Sequence, residues 1–154
     1  MKIDKIDEKL LALLENDASL TIKQLASHLH LSATPVHERI KKLKKAGIIE
    51  SIKAQINRHK VGLGMMIICE VSMDSHTQES IDRFEKEVGK LNEVVECLHV
   101  SGQHDYILKV VLPDMNSYRE LLMQKLSKIP AVGNVNSSFV LHELERKQYF
   151  KPTP

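Results

Sequence analysis

Up to Gly47 the apolar residues fall into three short blocks at helical spacing. Asp4 is placed to cap a helix running to about Glu15, with Ile6, Leu10, Leu13 and Leu14 on one face. Asn16-Asp17-Ala18 breaks that pattern. Thr21, with Gln24 three residues later, forms a capping box for a second helix whose inward stripe is Ile22, Leu25, Ala26 and Leu29. A tight turn is expected at His30-Leu31-Ser32. The third helix starts at Ser32 or Thr34; capping by Thr34 would put Pro35 at the first helical position, where its missing N–H costs nothing. It runs to about Ala46, with Val36, Ile40 and Leu43 inward, and Gly47 ends it.

A helix, a tight turn and a second helix with a basic outer face describe a helix-turn-helix. The leading residues of such a helix meet base edges in the major groove of double-stranded DNA. Here Ser32, Thr34, Pro35 and His37 occupy that end, with Glu38 beside them, while Arg39, Lys41, Lys42, Lys44 and Lys45 follow as candidate phosphate contacts. Arg39 also lies partly over the buried stripe, where it would brace the helix against a carboxylate such as Asp7 or Glu8. The plainer reading of the same residues is a three-helix interaction bundle with a solvated lysine face. Ile48 to Asn57 alternates and is β-branched, so it reads as strand. Two strands there would form a wing that brings Lys53, Arg58, His59 and Lys60 near flanking phosphates. Gly62 and Gly64 mark a hinge, which gives domains of 1–60 and 61–154.

The second part has a different rhythm. Strands are expected at Met65–Met73, Val94–Ser101, Asp105–Leu112 and Val135–Leu144, and helices at Thr77–Leu91 and Asn116–Ile129. The order βαββαβ is the ferredoxin-like arrangement, with both helices on one face of the sheet. The strand from Asp105 offers Tyr106, Leu108 and Val110 on one side and Ile107 and Val111 on the other, so the uncovered face is also apolar. Such a face calls for a partner, and a two-fold homodimer formed sheet to sheet is the expectation. In the loop Ser101-Gly102-Gln103-His104-Asp105, Gly102 suits a turn of positive φ. Asp105 either accepts from an ammonium group or simply ties the turn.

Charge sharpens this division. The first sixty residues hold twelve Lys and Arg against seven Asp and Glu, and the rest ten against thirteen. Only the first part is then suited to a polyanion. The two cysteines, Cys69 and Cys97, lie in apolar runs and read as core thiols. No apolar run is long enough for a membrane span, and the charged start of the chain lacks a signal-peptide core, so a cytoplasmic protein is expected. His28-x-His30 and Cys97-x-His99 are the closest metal-like spacings, too few ligands for a closed site, and no metal or cofactor is expected. No nucleophile elbow, P-loop or His-Glu-x-x-His is present, so no catalytic residue is assigned and an enzyme is not expected.

Ile6-Asp7-Glu8-Lys9-Leu10-Leu11, the stretch Leu31 to Leu43, Gly47-Ile48-Ile49 and Ser101-Gly102-Gln103-His104-Asp105-Tyr106 stand in an order and spacing that resemble the Lrp/AsnC, or feast/famine, transcriptional regulators. The resemblance covers nearly the whole chain. It implies an α+β chain: an N-terminal winged helix-turn-helix followed by a ferredoxin-like βαββαβ (RAM) domain. It also implies a sequence-specific regulator that binds DNA as a dimer or octamer and answers to an amino acid held near the Gly-x-x-Asp-Tyr loop. Carried onto this chain, the effector candidates are Ser101, Gly102, Gln103, His104 and Asp105. The competing readings are a chromatin-like structural DNA binder, and an enzyme or regulatory subunit of amino-acid metabolism with a ferredoxin-like domain.

Overall fold

The computed structural model describes residues 2–144. The last ten residues of the expected second domain, 145–154, lie outside them. Two compact units are present, one built on the residues up to Gln55 and the other on Ile56–Glu143. The second unit thus begins ahead of the glycine hinge.

The first unit is three helices: α1 (Lys5–Asn16), α2 (Ile22–Leu29) and α3 (Ala33–Lys45). Asp4 caps α1 by accepting from the N–H groups of Ile6 and Asp7 at 2.9 and 2.8 Å, and Asp7 returns a carboxylate to the Asp4 N–H at 3.1 Å. Thr21 and Gln24 form the same reciprocal box at α2. Leu10, Leu25, Ala26, Val36 and Leu43 are buried between the helices, and Ile40 packs on their edge. His30 ends α2 in the left-handed region at φ 55°, and the Leu31 N–H closes back on the Ala26 carbonyl at 2.9 Å. The N-cap of α3 is Ser32, not Thr34, so Pro35 sits at the third helical position. It is tolerated there because first-turn N–H groups have no intrahelical partner. Gly47 ends the helix at φ 71°.

The wing strands expected after α3 are not formed. Among the described residues no strand lies between α3 and Met65; Ile48 and Ile49 close back on the Leu43 carbonyl at 3.0 and 3.3 Å, and 50–57 is irregular. A β pattern makes a strand only when a second strand takes its hydrogen bonds. Ile52 and Ile56 consequently stand 49% and 65% exposed.

The second unit is a four-stranded antiparallel sheet of β1 (Met65–Met73), β2 (Val94–His99), β3 (Tyr106–Leu112) and β4 (Val132–Phe139), in the order β2-β3-β1-β4. The covering layer is α4 (Gln78–Val88), capped by Thr77, and α5 (Met115–Glu120), capped by Asp114. The second helix does not run on regularly to Ile129. It passes into a π turn at Leu121–Lys125 and a 3-10 turn at Leu126–Lys128, which keeps Leu121, Leu126 and Ile129 inward. β4 starts and ends earlier than expected, because its pairing with β1 begins at Met73↔Val132.

Alternate residues of β3 are fully buried under the helices, and Phe84 packs on Tyr106 with ring centroids 4.4 Å apart. On the opposite face Ile68, Glu70, Ser72, Ile107, Lys109 and Val111 are only half-buried. Cys69 is a core thiol, as expected, but Cys97 is exposed. It lies on β2, an edge strand whose residues after Val94 are all exposed.

Candidate DNA-binding surface and effector loop

The packing of Val36 and Leu43 into the first unit fixes which side of α3 faces out. Ser32, Thr34, Pro35, His37, Glu38, Lys41, Lys42, Lys44 and Lys45 are all exposed, as is Lys53 in the irregular segment beyond. The leading end is small and polar. The lysines concentrate toward the C-terminal end, where they also offset the negative pole of the helix dipole. Glu38 lies 3.6 Å from the His37 ring, which leaves one carboxylate within an otherwise basic surface.

Arg39 departs from the expected phosphate-contacting set. Its Nη1 lies 2.7 Å from Asp4 Oδ2 and 2.6 Å from Asp7 Oδ1, and its side chain is largely covered. The two carboxylates, Asp7 foremost, raise the guanidinium above its already high ordinary value. The Asp7 N–H and then Arg39 hold the Asp4 carboxyl below its own. A guanidinium bound to two carboxylates has spent its charge within the domain. Of the two roles the sequence allows Arg39, these contacts are those of the brace. The carboxylates it holds are those of Asp4 and Asp7.

In the second unit the loop joining β2 and β3 is closed by backbone bonds, Val100 N–H to Asp105 O and Asp105 N–H to Val71 O, both 2.9 Å. Gly102 turns the chain at φ 152°. Ser101, Gly102 and Gln103 are exposed, while His104 and Asp105 are half-buried. The β1–β3 ladder ends at Val71↔Tyr106. Beyond it the Met73 N–H donates to Asp105 Oδ2 at 2.6 Å, so the carboxylate replaces the missing carbonyl. The other oxygen, Oδ1, is 2.8 Å from His76 Nε2. The Met73 N–H, above all, and then His76 hold the Asp105 carboxyl below its usual value. Asp105 therefore ties the turn, yet its Oδ1 side still faces an exposed imidazole.

His104 points to the uncovered sheet face. Its Nδ1 is 3.1 Å from Ser72 Oγ and its Nε2 is 3.6 Å from Glu70 Oε2. Sequence reasoning missed His76, Ser72, Glu70 and the Met73 N–H. They lie about thirty residues upstream, and no spacing rule links them to the loop. Among the described residues no group of three or more His, Cys, Asp or Glu is placed to hold a metal ion, and no helix is long and apolar enough to cross a membrane.

Comparison with known proteins agrees with this geometry. Residues 3–50 match the family model described as winged helix-turn-helix DNA-binding, and residues 66–150 the Lrp/AsnC ligand binding domain. The chain is 32% identical to the leucine-responsive regulatory proteins of Klebsiella pneumoniae and of Escherichia coli K12, over 94% of this chain and 88% of each of theirs. Among solved structures it resembles a transcriptional regulator from Neisseria meningitidis in complex with L-Met, at 30% identity and a TM-score of 0.90, covering 99% of this chain and 97% of that one. An AsnC family transcriptional regulator from Agrobacterium tumefaciens is 32% identical, with a TM-score of 0.85 and the same coverage.

Proposed function

The chain belongs to the Lrp/AsnC family of transcriptional regulators, and on that premise we propose that its hold on DNA answers to an amino acid bound by the second unit. The observation that carries the DNA half is the outer surface of α3, where small polar residues lead and four exposed lysines follow. The first reach base edges and the second neutralise phosphates. Ser32, Thr34, Pro35 and His37 are the proposed base-facing residues, with Glu38 placed to accept from cytosine. Lys41, Lys42, Lys44, Lys45 and Lys53 are the proposed phosphate contacts.

The amino-acid half rests on the Lrp/AsnC ligand-binding match and on the relative solved with L-Met. The proposed effector site is the loop Ser101–Asp105, whose exposed backbone and Asp105 carboxylate offer groups complementary to a carboxylate and an ammonium.

A homodimer is proposed on two observations: the half-buried apolar positions of the uncovered sheet face, and the irregular segment after α3 with Ile52 and Ile56 exposed. Two copies present two α3 helices to a two-fold DNA site. Further assembly, up to an octamer, is proposed from the family resemblance. With DNA as its proposed partner, a cytoplasmic location is proposed with it, and we assign it no turnover.

The test is the ratio of affinity for genomic binding sites to affinity for random DNA of equal length, at one salt concentration, with and without L-Met. A ratio of about a thousandfold or more that changes with the amino acid supports the regulator. A ratio near one, unmoved by any amino acid, would favour a chromatin-like binder.

A further inference from the structure

The two carboxylates that receive Arg39 are those of the α1 capping box, and each divides its oxygens between two tasks. Asp4 Oδ1 accepts from the Ile6 and Asp7 N–H groups, while its Oδ2 accepts from Arg39 Nη1. Asp7 Oδ2 accepts from the Asp4 N–H, while its Oδ1 accepts from the same Nη1. The box thus holds both carboxylates in place on the first turn of α1, and the guanidinium ties α3 to that turn. Asp7 is buried, which shields the tie from water.

Apolar packing by itself sets the rotation of α3 only loosely. The buried residues of the helix are Val36 and Leu43, seven positions apart and so nearly on one line along its length. Contacts along a line resist sliding but oppose rolling about that line weakly, because apolar attraction has no direction. Ser32, the N-cap, makes no side-chain hydrogen bond, unlike the caps of α1 and α2. Arg39 lies about 40–60° round the helix from the buried line, where directional, charge-assisted hydrogen bonds act against a roll.

We propose that Arg39 is a positioning residue for sequence recognition: held by Asp4 and Asp7, it sets the roll of α3 and so decides which bases Ser32, Thr34 and His37 read, without touching DNA itself. The inference rests on the reading of that end of α3 as base-facing and adds to it a residue that fixes its aim. Side-chain tips stand about 5–6 Å from the helix axis, so a roll of about 15° moves them by about 1.5 Å. A hydrogen bond to a base edge survives a change of only about half an ångström. Lys41, Lys42, Lys44 and Lys45 end in rotatable ammonium groups on flexible stems and follow the phosphates through the same roll. Loosening the tie therefore removes sequence discrimination and spares non-specific binding.

The experiment uses a duplex enriched by the full wild-type chain from a random DNA library and a scrambled duplex of equal length and composition. Affinities, salt slopes and thermal melts are measured for each variant. Asp4→Asn has one acceptor oxygen for the two tasks, so it loosens the tie from a residue outside α3. It should lower the ratio of the two affinities about tenfold while the scrambled-duplex affinity and the salt slope stay unchanged. Arg39→Met removes the tie and leaves Asp7 short of a partner, so ratio and melting temperature should both fall. Adding Asp7→Asn, whose amide oxygen still accepts from the Asp4 N–H, should restore the melting temperature and leave the ratio low. Library selection with this double variant should return a more degenerate sequence than the wild type does. A double variant whose ratio recovers together with its stability would make Arg39 merely structural and overturn the inference. So would a folded Asp4→Asn with the wild-type ratio. Weaker binding of both duplexes by Arg39→Met, with a salt slope smaller by about one, would mark a direct phosphate contact and overturn it as well. If the wild-type chain enriches no sequence, the base-facing reading of α3 fails first and the inference falls with it.

Discussion

Arg39 and Lys42 lie three positions apart on α3, and both are cationic, yet their surroundings assign them different work. Arg39 is bound to Asp4 and Asp7, and the Asp7 side chain is only 5% exposed. Arg39→Ala should therefore leave a buried carboxylate short of a partner and cost about 1–3 kcal/mol of stability. It should leave the salt dependence of DNA binding unchanged. Lys42 is exposed. Lys42→Ala should leave stability within about 0.5 kcal/mol and reduce the salt slope of binding by about one. Thermal melts and binding isotherms at several salt concentrations separate the two. A reduced slope for Arg39→Ala would return that residue to the DNA-contacting set.

At the level of elements, two junctions carry consequences. The turn between α2 and α3 passes through His30 at φ 55°, a conformation costing an L-residue roughly 1 kcal/mol that glycine does not incur. His30→Gly should raise the melting temperature of the first unit by the equivalent of up to about 1 kcal/mol. A drop would show that the imidazole makes a compensating contact. The junctions held by carboxylates behave differently in acid. Asp4 is held below its ordinary 3.8 by the Asp7 N–H and then Arg39, and Asp105 by the Met73 N–H and then His76. Glu93 is held below 4.5 chiefly by its bond from Lys125. A carboxyl depressed in the folded state stabilises fully above its unfolded value, and the contribution is lost as pH falls through the folded one. The stability contributed by these three should therefore hold down to about pH 5 and decline below about pH 4. Chemical denaturation across pH 3–7 reads this directly; a decline already complete at pH 5 would contradict it.

For the whole molecule, the open question is what covers the second face of the sheet. Its half-buried positions include Ile68, Ile107 and Val111, with Lys109 and Glu143 paired at 3.5 Å. If a second copy covers it, Ile107→Glu places an unpaired charge in the interface at a cost of about 3 kcal/mol, or roughly a hundredfold in dimer dissociation. Sedimentation at micromolar concentration should then show monomer for the variant and dimer or larger for the wild type. Two species of equal size would remove the sheet face from the interface.

What the sequence determined by itself was whatever closes within one turn or one strand. Asp4 with Asp7 and Thr21 with Gln24 are three residues apart, so the caps of α1 and α2 follow from local geometry. The alternation from Tyr106 to Leu112 separates the two faces of β3 for the same reason. The family motifs, being local, were legible too. Tertiary structure decided the rest. Ile48–Asn57 has the pattern of a strand but no second strand to pair with, and Cys97 has a core-like setting in sequence but falls on an edge. Arg39 sits 32 residues from Asp7, and Asp105 sits 29 from His76. Contacts across such separations depend on how helices and strands pack, and no periodicity along the chain encodes them.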